Sequence, residues 1–458
     1  MNQISAEVRH FFHRAGFGVG MPELSNSIKK SIAQLADDEI QAALLPLETD
    51  SYGSGLPVRD QSPFATRDQI QMSDTTSSQV DRLRAKWVES MIDTRTVLAE
   101  KMTLFWHGHF ACQCNTENVA KQYLNTIRTN ALGNFRTLLH EIARSPAMII
   151  FLNNLQNRQD HPNENFAREL MELFTMGRAN YSERDVSESA RAFTGWSVDQ
   201  QGHFFYREQN HDSGLKEFLG RKGSFDGDEI INIILDQPAT AHHLAHRLYR
   251  YFVNEKIDAQ AIQQIARVIR DVDYDMAEVM HFLLTSDFFY LPQNQGNRIK
   301  SPLELLVQVA RIFGLRYVQP TQLAFLQKAL GQLLFDPPNV AGWPGGRDWI
   351  NNSTLMLRLN LVRYLIHQER FDHSVSTPLE AMAAGESIQI VEIEQNYQPL
   401  LDYLSGTRYD QMEKAVQNLL IAGSNQAPEM AKSKDFRDLD FSLQVILKTT
   451  SLPEFQMS

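Results

Sequence analysis

Carboxylates, amides and an arginine are concentrated in the segment 160–174. On a helical wheel the apolar residues fill one side, and the other side holds Glu164, Arg168, Glu169 and Glu172. Glu164 or Glu172 can serve as a general base, and Arg168 can steady an anionic group. Glu164, Arg168 and Glu172 are spaced four residues apart and form a predicted ion-pair ladder, which is also typical of an ordinary amphipathic helix with a solvated face. Glu169 borders the apolar side, so we expect this carboxylate to be partly buried.

Two histidines stand two residues apart in the string Phe105-Trp106-His107-Gly108-His109-Phe110. A metal site in a helical protein takes His and Glu ligands from facing helices, and Glu169 can complete a set with His107 and His109. These three residues are therefore candidate ligands of a divalent transition metal. His109 shares a face with core residues, whereas His107 lies about 200° around the helix. The alternative is that each histidine is a hydrogen-bonded packing residue.

Other chemically active residues are more weakly indicated. Cys112 and Cys114 are too close for an ordinary disulfide, although their thiols can bind zinc or copper. His242 and His246 have helical metal-pair spacing, but no Glu follows His242 as in HExxH, which favours a histidine-rich helix surface.

The dipeptide His211-Asp212 lies in a loop predicted over 208–226. It can supply a ligand or an acid–base pair, and Asp212 can equally cap a turn. The sequence contains no GxxxxGK[ST], GxGxxG or GxSxG signature. Their absence disfavours the common nucleotide-dependent and serine-hydrolase mechanisms.

The elements that must position these residues are helices. Apolar spacing predicts an all-α protein, a large irregular multi-helix domain with at most one small β-hairpin, drawn from 202–206 and 388–391. Asn163 and Gly177 should begin and end the carboxylate helix. Residues 1–370 form the predicted core domain and 371–458 a C-terminal helical extension packed on it. We expect 105–110 and 163–172 to meet beneath the 208–226 and 335–352 loops.

Composition excludes several classes of protein. The chain has 458 residues, 43% of them hydrophobic, and a net charge of −11. A negative protein is disfavoured as a general nucleic-acid binder. No apolar run approaches the roughly 20 residues that span a bilayer, and no signal peptide is visible at the start. A cytoplasmic location is therefore the default expectation.

A series of ordered motifs extends over nearly the whole chain and resembles the bacterial DUF1800 family, whose function is not established. The motifs are His13 to Gly18, Phe105 to Phe110, Leu132 to Phe135, His161 to Gly177, Ala192 to Trp196, His211-Asp212 with Phe218 to Gly220, Leu248 to Phe252, Phe335 to Gly346 and Pro453 to Gln456. The resemblance implies that members are often exported and are commonly encoded beside DUF1501 proteins, which resemble sulfatases and phosphatases. The cysteines and the His242/His246 pair are not part of the family pattern.

These observations favour a metal-dependent enzyme, a hydrolase, with a His/Glu site between helices. Its metal ligands would be His107, His109 and Glu169, and its catalytic candidates are Glu164, Arg168, Glu172, His211 and Asp212. The competing hypothesis is a non-catalytic partner or maturation factor for a DUF1501 protein. In that case the polar helix is a protein-binding face and the histidines are packing residues.

Overall fold

A computed structural model describes residues 6–18, 27, 29–45, 74–94, 96–199, 202–313, 317, 320–367 and 453–458. Sixteen α-helices lie within these residues, and the predicted all-α class is confirmed. They are α1 Ala6–Ala15, α2 Ile32–Ala43, α3 Asp74–Asp93, α4 Val97–His109, α5 Glu117–Thr129, α6 Phe135–Ala143, α7 Pro146–Phe151, α8 Asn165–Glu169, α9 Glu183–Ala192, α10 Gly227–Leu235, α11 Pro238–Phe252, α12 Ala259–Asp271, α13 Met276–Thr285, α14 Pro302–Phe313, α15 Pro320–Leu330 and α16 Asn352–His367.

Helix α4 runs through the middle of the core. Every residue of α4 except Gly108 is buried, including charged and imidazole side chains. Because buried polar groups need partners inside the protein, polar side chains of this helix form hydrogen bonds with residues of several other helices. Glu100, for example, accepts from Trp87 Nε1 at 3.0 Å and from Arg128 Nε at 2.8 Å. The helix therefore carries both apolar core side chains and buried charged side chains.

Two short β-hairpins occur in the described residues, one more than the sequence predicts. Strands β1 Trp196–Val198 and β2 Phe204–Tyr206 pair antiparallel, as do β3 Lys216–Phe218 and β4 Arg221–Gly223. The second hairpin turns at Leu219 and Gly220, which both have positive φ (46° and 77°), as a tight two-residue hairpin turn requires. Three-residue strands are too short for period-2 alternation to reveal them. The other predicted strand, 388–391, lies outside the described residues.

The end of the chain packs against the segment that precedes α14. Residue Ser458 exchanges backbone hydrogen bonds with Arg298, and Lys300 N donates to Gln456 O at 2.9 Å. Of the predicted extension 371–458, only these closing residues, 453–458, are described. The predicted domain boundary at 370 lies outside the described residues and stays a prediction.

Candidate functional site

The carboxylate helix forms where the sequence predicts it, but its second half is a π-helix. Helix α8 is followed by a π-helix over Leu170–Thr175. Gly177, with φ 75°, lies two residues beyond it, where the sequence predicts the stop. Asn163 Oδ1 accepts from the N–H of Asn165 at 3.0 Å and caps the start. A π-turn holds one extra residue, so it rotates the following side chains around the helix axis. Such turns occur frequently at functional sites.

Arg168 is held by two carboxylates of its own chain. Its Nη1 and Nη2 donate to the two oxygens of Glu183 at 2.9 and 2.6 Å, and Nη2 also donates to Glu164 at 3.2 Å. The hydrogen bonds to Glu183 are the main cause that raises the pKa of Arg168. Half of the predicted Glu164–Arg168–Glu172 ladder is therefore present.

Glu172 pairs with residues that follow the π-helix in the chain and forms no hydrogen bond with Arg168 among the contacts of the described residues. It accepts from Arg178 Nε at 2.5 Å and from the hydroxyl of Tyr181 at 3.0 Å. The hydrogen bond from Arg178 is the main cause that lowers the pKa of Glu172. This carboxylate is ionised near neutral pH, and burial together with Glu172 raises the pKa of Tyr181 to about 12.

Glu169 lies one turn before Glu172 and has the opposite character. It is half-buried, as the helical wheel predicts, and makes no hydrogen bond or ion pair with the residues that the structure describes. Burial, followed by the charge of Glu172, raises the pKa of this carboxyl, and Arg168 and Arg178 only partly oppose the change. Two carboxyls three residues apart therefore differ in their tendency to carry a proton.

Two histidines bind the backbone of the π-helix from the core side. His109 Nε2 donates to Phe174 O at 3.0 Å, and His243 Nε2 donates to Leu173 O at 3.1 Å. Burial lowers the pKa of both imidazoles, that of His243 to about 4, so both are neutral. His109 thus joins 105–110 to the end of the carboxylate helix at Phe174, just beyond the 163–172 segment for which the contact was expected.

His107 lies in an aromatic cage beneath the 335–352 loop. Its Nε2 accepts the backbone N–H of Phe335 at 3.2 Å, its ring stacks on Trp343 at 5.1 Å, and the edge of Trp87 meets it at 5.1 Å. Burial lowers the pKa of His107 to about 3, so the ring is neutral. The loop covers this histidine as the sequence predicts.

The predicted metal ligands do not share one position. Within the described residues, no group of three or more His, Cys, Asp or Glu side chains is arranged to hold a metal ion. His107 and His109 each use Nε2 for a backbone hydrogen bond, while Glu169 faces Glu172 and Arg178. Cys112 and Cys114 are buried free thiols. The assignment of His107, His109 and Glu169 to a metal stays a prediction.

His211 and Asp212 lie against the far end of α9 from Glu183. Asp212 accepts from Arg191 Nε at 2.7 Å and receives the N–H of Gly214 at 2.8 Å, and His211 Nδ1 donates to Thr194 O at 3.0 Å. The hydrogen bond from Arg191 lowers the pKa of Asp212. Eight residues of helix, about 12 Å, separate Glu183 from Arg191. The dipeptide therefore contacts the end of α9 opposite to Glu183, the residue that pairs with Arg168, and it attaches the 208–226 loop to α9.

A set of buried charges near the start of α4 was not predicted from the sequence. Lys101 and Arg298 both pair with Glu304, and none of the three is more than 6% exposed. Arg14, Lys300 and Arg358 are also buried nearby. One signal was available: Lys101 and Arg14 interrupt apolar stretches, and Arg14 lies in one of the motifs named above.

Comparison with known proteins gives one match. The family model "Protein of unknown function (DUF1800)" matches residues 10–457. The searches of curated proteins and of solved structures give no match. None of the described helices is both long and apolar enough to cross a membrane.

Proposed function

The chain belongs to the DUF1800 family, whose function is unknown, and we propose from its site that it is a hydrolase in which Glu169 and Glu172 act as an acid–base pair. The observation that carries the proposal is the contrast between Glu172, which is paired with Arg178 and Tyr181, and the half-buried Glu169, which is unpaired within the described residues. These surroundings shift the two carboxyl pKa values in opposite directions. Paired carboxyls whose environments separate their pKa values take different roles in proton transfer.

The roles follow from the contacts of each carboxyl. Glu172, kept ionised by Arg178 and Tyr181, would remove a proton from an attacking water. Glu169, whose burial favours the protonated form, would give a proton to the leaving group. Arg178 is largely exposed and donates only through Nε to Glu172, so its other nitrogens can meet an anionic substrate group.

The metal-dependent form of this hydrolase receives less support. Nε2 of the neutral His107 ring accepts a hydrogen bond from the N–H of Phe335, so Nδ1 carries the hydrogen and neither nitrogen offers a free lone pair. His109 retains one, at Nδ1, which is buried without a partner. These residues do not fit a shared metal as they stand, and no step of the proposed reaction uses one.

The alternative is a non-catalytic partner or maturation factor for a DUF1501 protein. One observation favours it: both histidines make the backbone hydrogen bonds of packing residues, as that hypothesis requires. In addition, Leu215 is 78% exposed beside the Asp212–Arg191 pair. A partner would cover this leucine and bury the ion-paired face of α9.

The two functions predict different results in one set of assays. Purified protein is incubated with p-nitrophenyl phosphate, sulfate and acetate, with and without added zinc or manganese, and its metal content is measured in parallel. The acid–base proposal predicts hydrolysis of at least one ester without added metal, reduced about 100-fold or more in Glu169→Gln and Glu172→Gln. Glu217→Gln, which removes an exposed ion pair with Arg184, is the matched control and should keep the wild-type rate.

Two outcomes would contradict the proposal. Either both glutamine variants retain the wild-type rate, or the wild type hydrolyses none of the esters while its Glu169 carboxyl titrates like an ordinary glutamate. Metal bound in stoichiometric amount and lost in His107→Ala and His109→Ala would instead restore the metal-dependent form. Specific capture of a DUF1501 protein that depends on Leu215, without hydrolysis, would favour the alternative.

A further inference from the structure

Five cationic side chains are buried together where α1, α4, α14 and α16 meet the closing residues of the chain. This buried cationic cluster consists of Arg14, Lys101, Arg298, Lys300 and Arg358, which are 0, 0, 6, 3 and 1% exposed. It lies apart from the Glu169/Glu172 pair. The buried carboxylate that accompanies the cluster is Glu304, 4% exposed.

Glu304 is already fully used by two of the five cations. Arg298 Nη2 donates to both carboxylate oxygens of Glu304, at 2.6 Å each, and Lys101 Nζ donates to one of them. The N–H of Ser301 donates to this carboxylate as well, at 2.7 Å. A carboxylate that accepts four hydrogen bonds from three donors has little capacity left, and its single negative charge does not balance the remaining cations.

The other three cations bind only neutral oxygens. Arg14 Nη2 donates to Asn294 O at 3.0 Å and to Asn297 Oδ1 at 2.6 Å. Lys300 Nζ donates to Phe455 O at 2.6 Å, and Arg358 Nη1 donates to Lys300 O at 3.0 Å. None of these three forms an ion pair within the part of the chain that the structure describes.

Several of their hydrogen-bond donors have no partner at all. Buried nitrogens without an acceptor are Nε and Nη1 of Arg14 and Nε and Nη2 of Arg358. Both polar side-chain atoms of Gln456, which is 2% exposed, are also unpartnered. Because more than nine in ten buried polar groups in folded proteins find a partner, so many orphaned donors in one place indicate a missing acceptor.

The buried cations also lower one another's pKa values. Burial is the main cause that lowers the pKa of Lys300, to about 7, and Lys101, Arg358 and Arg14 lower it further against the opposing charge of Glu304. The pKa of Arg14 falls to about 9, with burial and Arg298 as the main causes. The charges of Glu304 and of the exposed Glu255 oppose this change only in part.

From these contacts we propose that Arg14, Lys300 and Arg358 bind a phosphate group, as the free ion or as the terminal group of a larger ligand. A phosphate dianion carries about two negative charges and three strong acceptor oxygens, which match three unneutralised cations and four unpartnered guanidinium nitrogens. Guanidinium groups bind phosphate through paired N–H donors. The amide of Gln456 would donate to the same ligand.

Ligand binding would also explain why the closing residues of the chain are held here. Phe455 accepts from Lys300 Nζ and its ring lies 4.8 Å from that nitrogen, and Gln456 O accepts from the backbone of Lys300. An anion at Arg14, Lys300 and Arg358 would therefore be enclosed by residues from both ends of the sequence.

Calorimetric titration of the full chain tests the proposal, with inorganic phosphate and phenyl phosphate as probes in a phosphate-free buffer of low ionic strength. Wild type should bind near one equivalent of phosphate, and Arg358→Gln should weaken binding by about tenfold or more, as expected for a lost charge-assisted hydrogen bond. Lys300→Met, which removes a repelled cation and should fold, must weaken it as well. The matched control is Arg247→Gln, a partly buried arginine outside the cluster on α11, and should bind like wild type.

The two probes separate the sources of the phosphate group. Binding of inorganic phosphate alone assigns an enclosed site for the free ion, and binding of both probes assigns a site for a terminal phosphate group. Acid-released phosphate in the freshly purified protein is measured to detect a site already filled. The proposal is overturned if folded wild type neither contains nor binds phosphate, or if Arg247→Gln weakens binding as much as Arg358→Gln.

Discussion

Replacing the buried cation Lys300 by methionine should stabilise the phosphate-free protein. Lys300 is 3% exposed, and its pKa falls from 10.5 to about 7 in the folded chain. A tenfold change in proton affinity corresponds to about 1.4 kcal/mol, so holding the protonated amine here costs on the order of 5 kcal/mol. Methionine has a similar shape and no charge. It loses the hydrogen bond to Phe455 O and the cation–π contact with the Phe455 ring, each worth about 1 kcal/mol. The expected net gain is about 3 kcal/mol.

The pH dependence of stability tests the same reasoning with a definite sign. Between about pH 7 and 10.5 the unfolded chain binds a proton at Lys300 that the folded chain has released. The free energy of unfolding therefore rises with pH across this window. Lys101, whose pKa falls to about 8, adds to the rise. In Lys300→Met the slope should be smaller by about one proton.

Denaturant unfolding of both proteins from pH 6 to 10, in phosphate-free buffer of low ionic strength, measures the gain and the slope. Adding phosphate should reverse the order at neutral pH, because the wild type alone keeps the full set of ligands. The reasoning is refuted if Lys300→Met is less stable than wild type without phosphate, or if the two proteins have the same pH slope.

Three other substitutions test separate parts of the account by denaturant unfolding. Glu304→Gln should lower the free energy of unfolding by about 3–5 kcal/mol, because it leaves Lys101 and Arg298 buried without a carboxylate. An effect no larger than that of Glu217→Gln, which removes an exposed ion pair, would count against this. Gly177→Ala should destabilise by more than about 1 kcal/mol, because φ is 75° and the added Cβ would meet the His243 ring at 2.9 Å; a neutral result would mean the helix end can rearrange. His109→Phe should cost about 1–3 kcal/mol by leaving Phe174 O unsatisfied, and no loss of stability would show that this bond is dispensable.

The periodic features of the fold could be predicted from the sequence. Apolar spacing indicated helices, and Asn163 and Gly177 marked the ends of the carboxylate helix, because capping and positive φ depend on local residue type. The half-buried position of Glu169 followed from the same wheel. The π-helix could not be found this way, since one extra residue in a turn leaves no compositional signal.

Partners distant in sequence explain what the prediction missed. Glu172 was expected beside Arg168 but pairs with Arg178 and Tyr181, which follow the π-helix in the chain. Lys101 pairs with Glu304, 203 residues away, and Arg14 donates to Asn294 O, 280 residues away. Such contacts depend on how helices pack, which a single sequence does not specify through local spacing. Buried charge was visible only as Lys101 and Arg14 within apolar stretches.

The most direct test of the central claim is the titration of Glu169 itself. Carbon-13 NMR of protein labelled at the glutamate side-chain carboxyls, with Glu169→Gln and Glu172→Gln used for assignment, follows both groups as pH is varied. The acid–base proposal predicts a Glu169 pKa above 4.5 that falls when Glu172 is replaced, and a Glu172 pKa below 4.5. Equal, ordinary pKa values for the two carboxyls, or no change at Glu169 in Glu172→Gln, would contradict it.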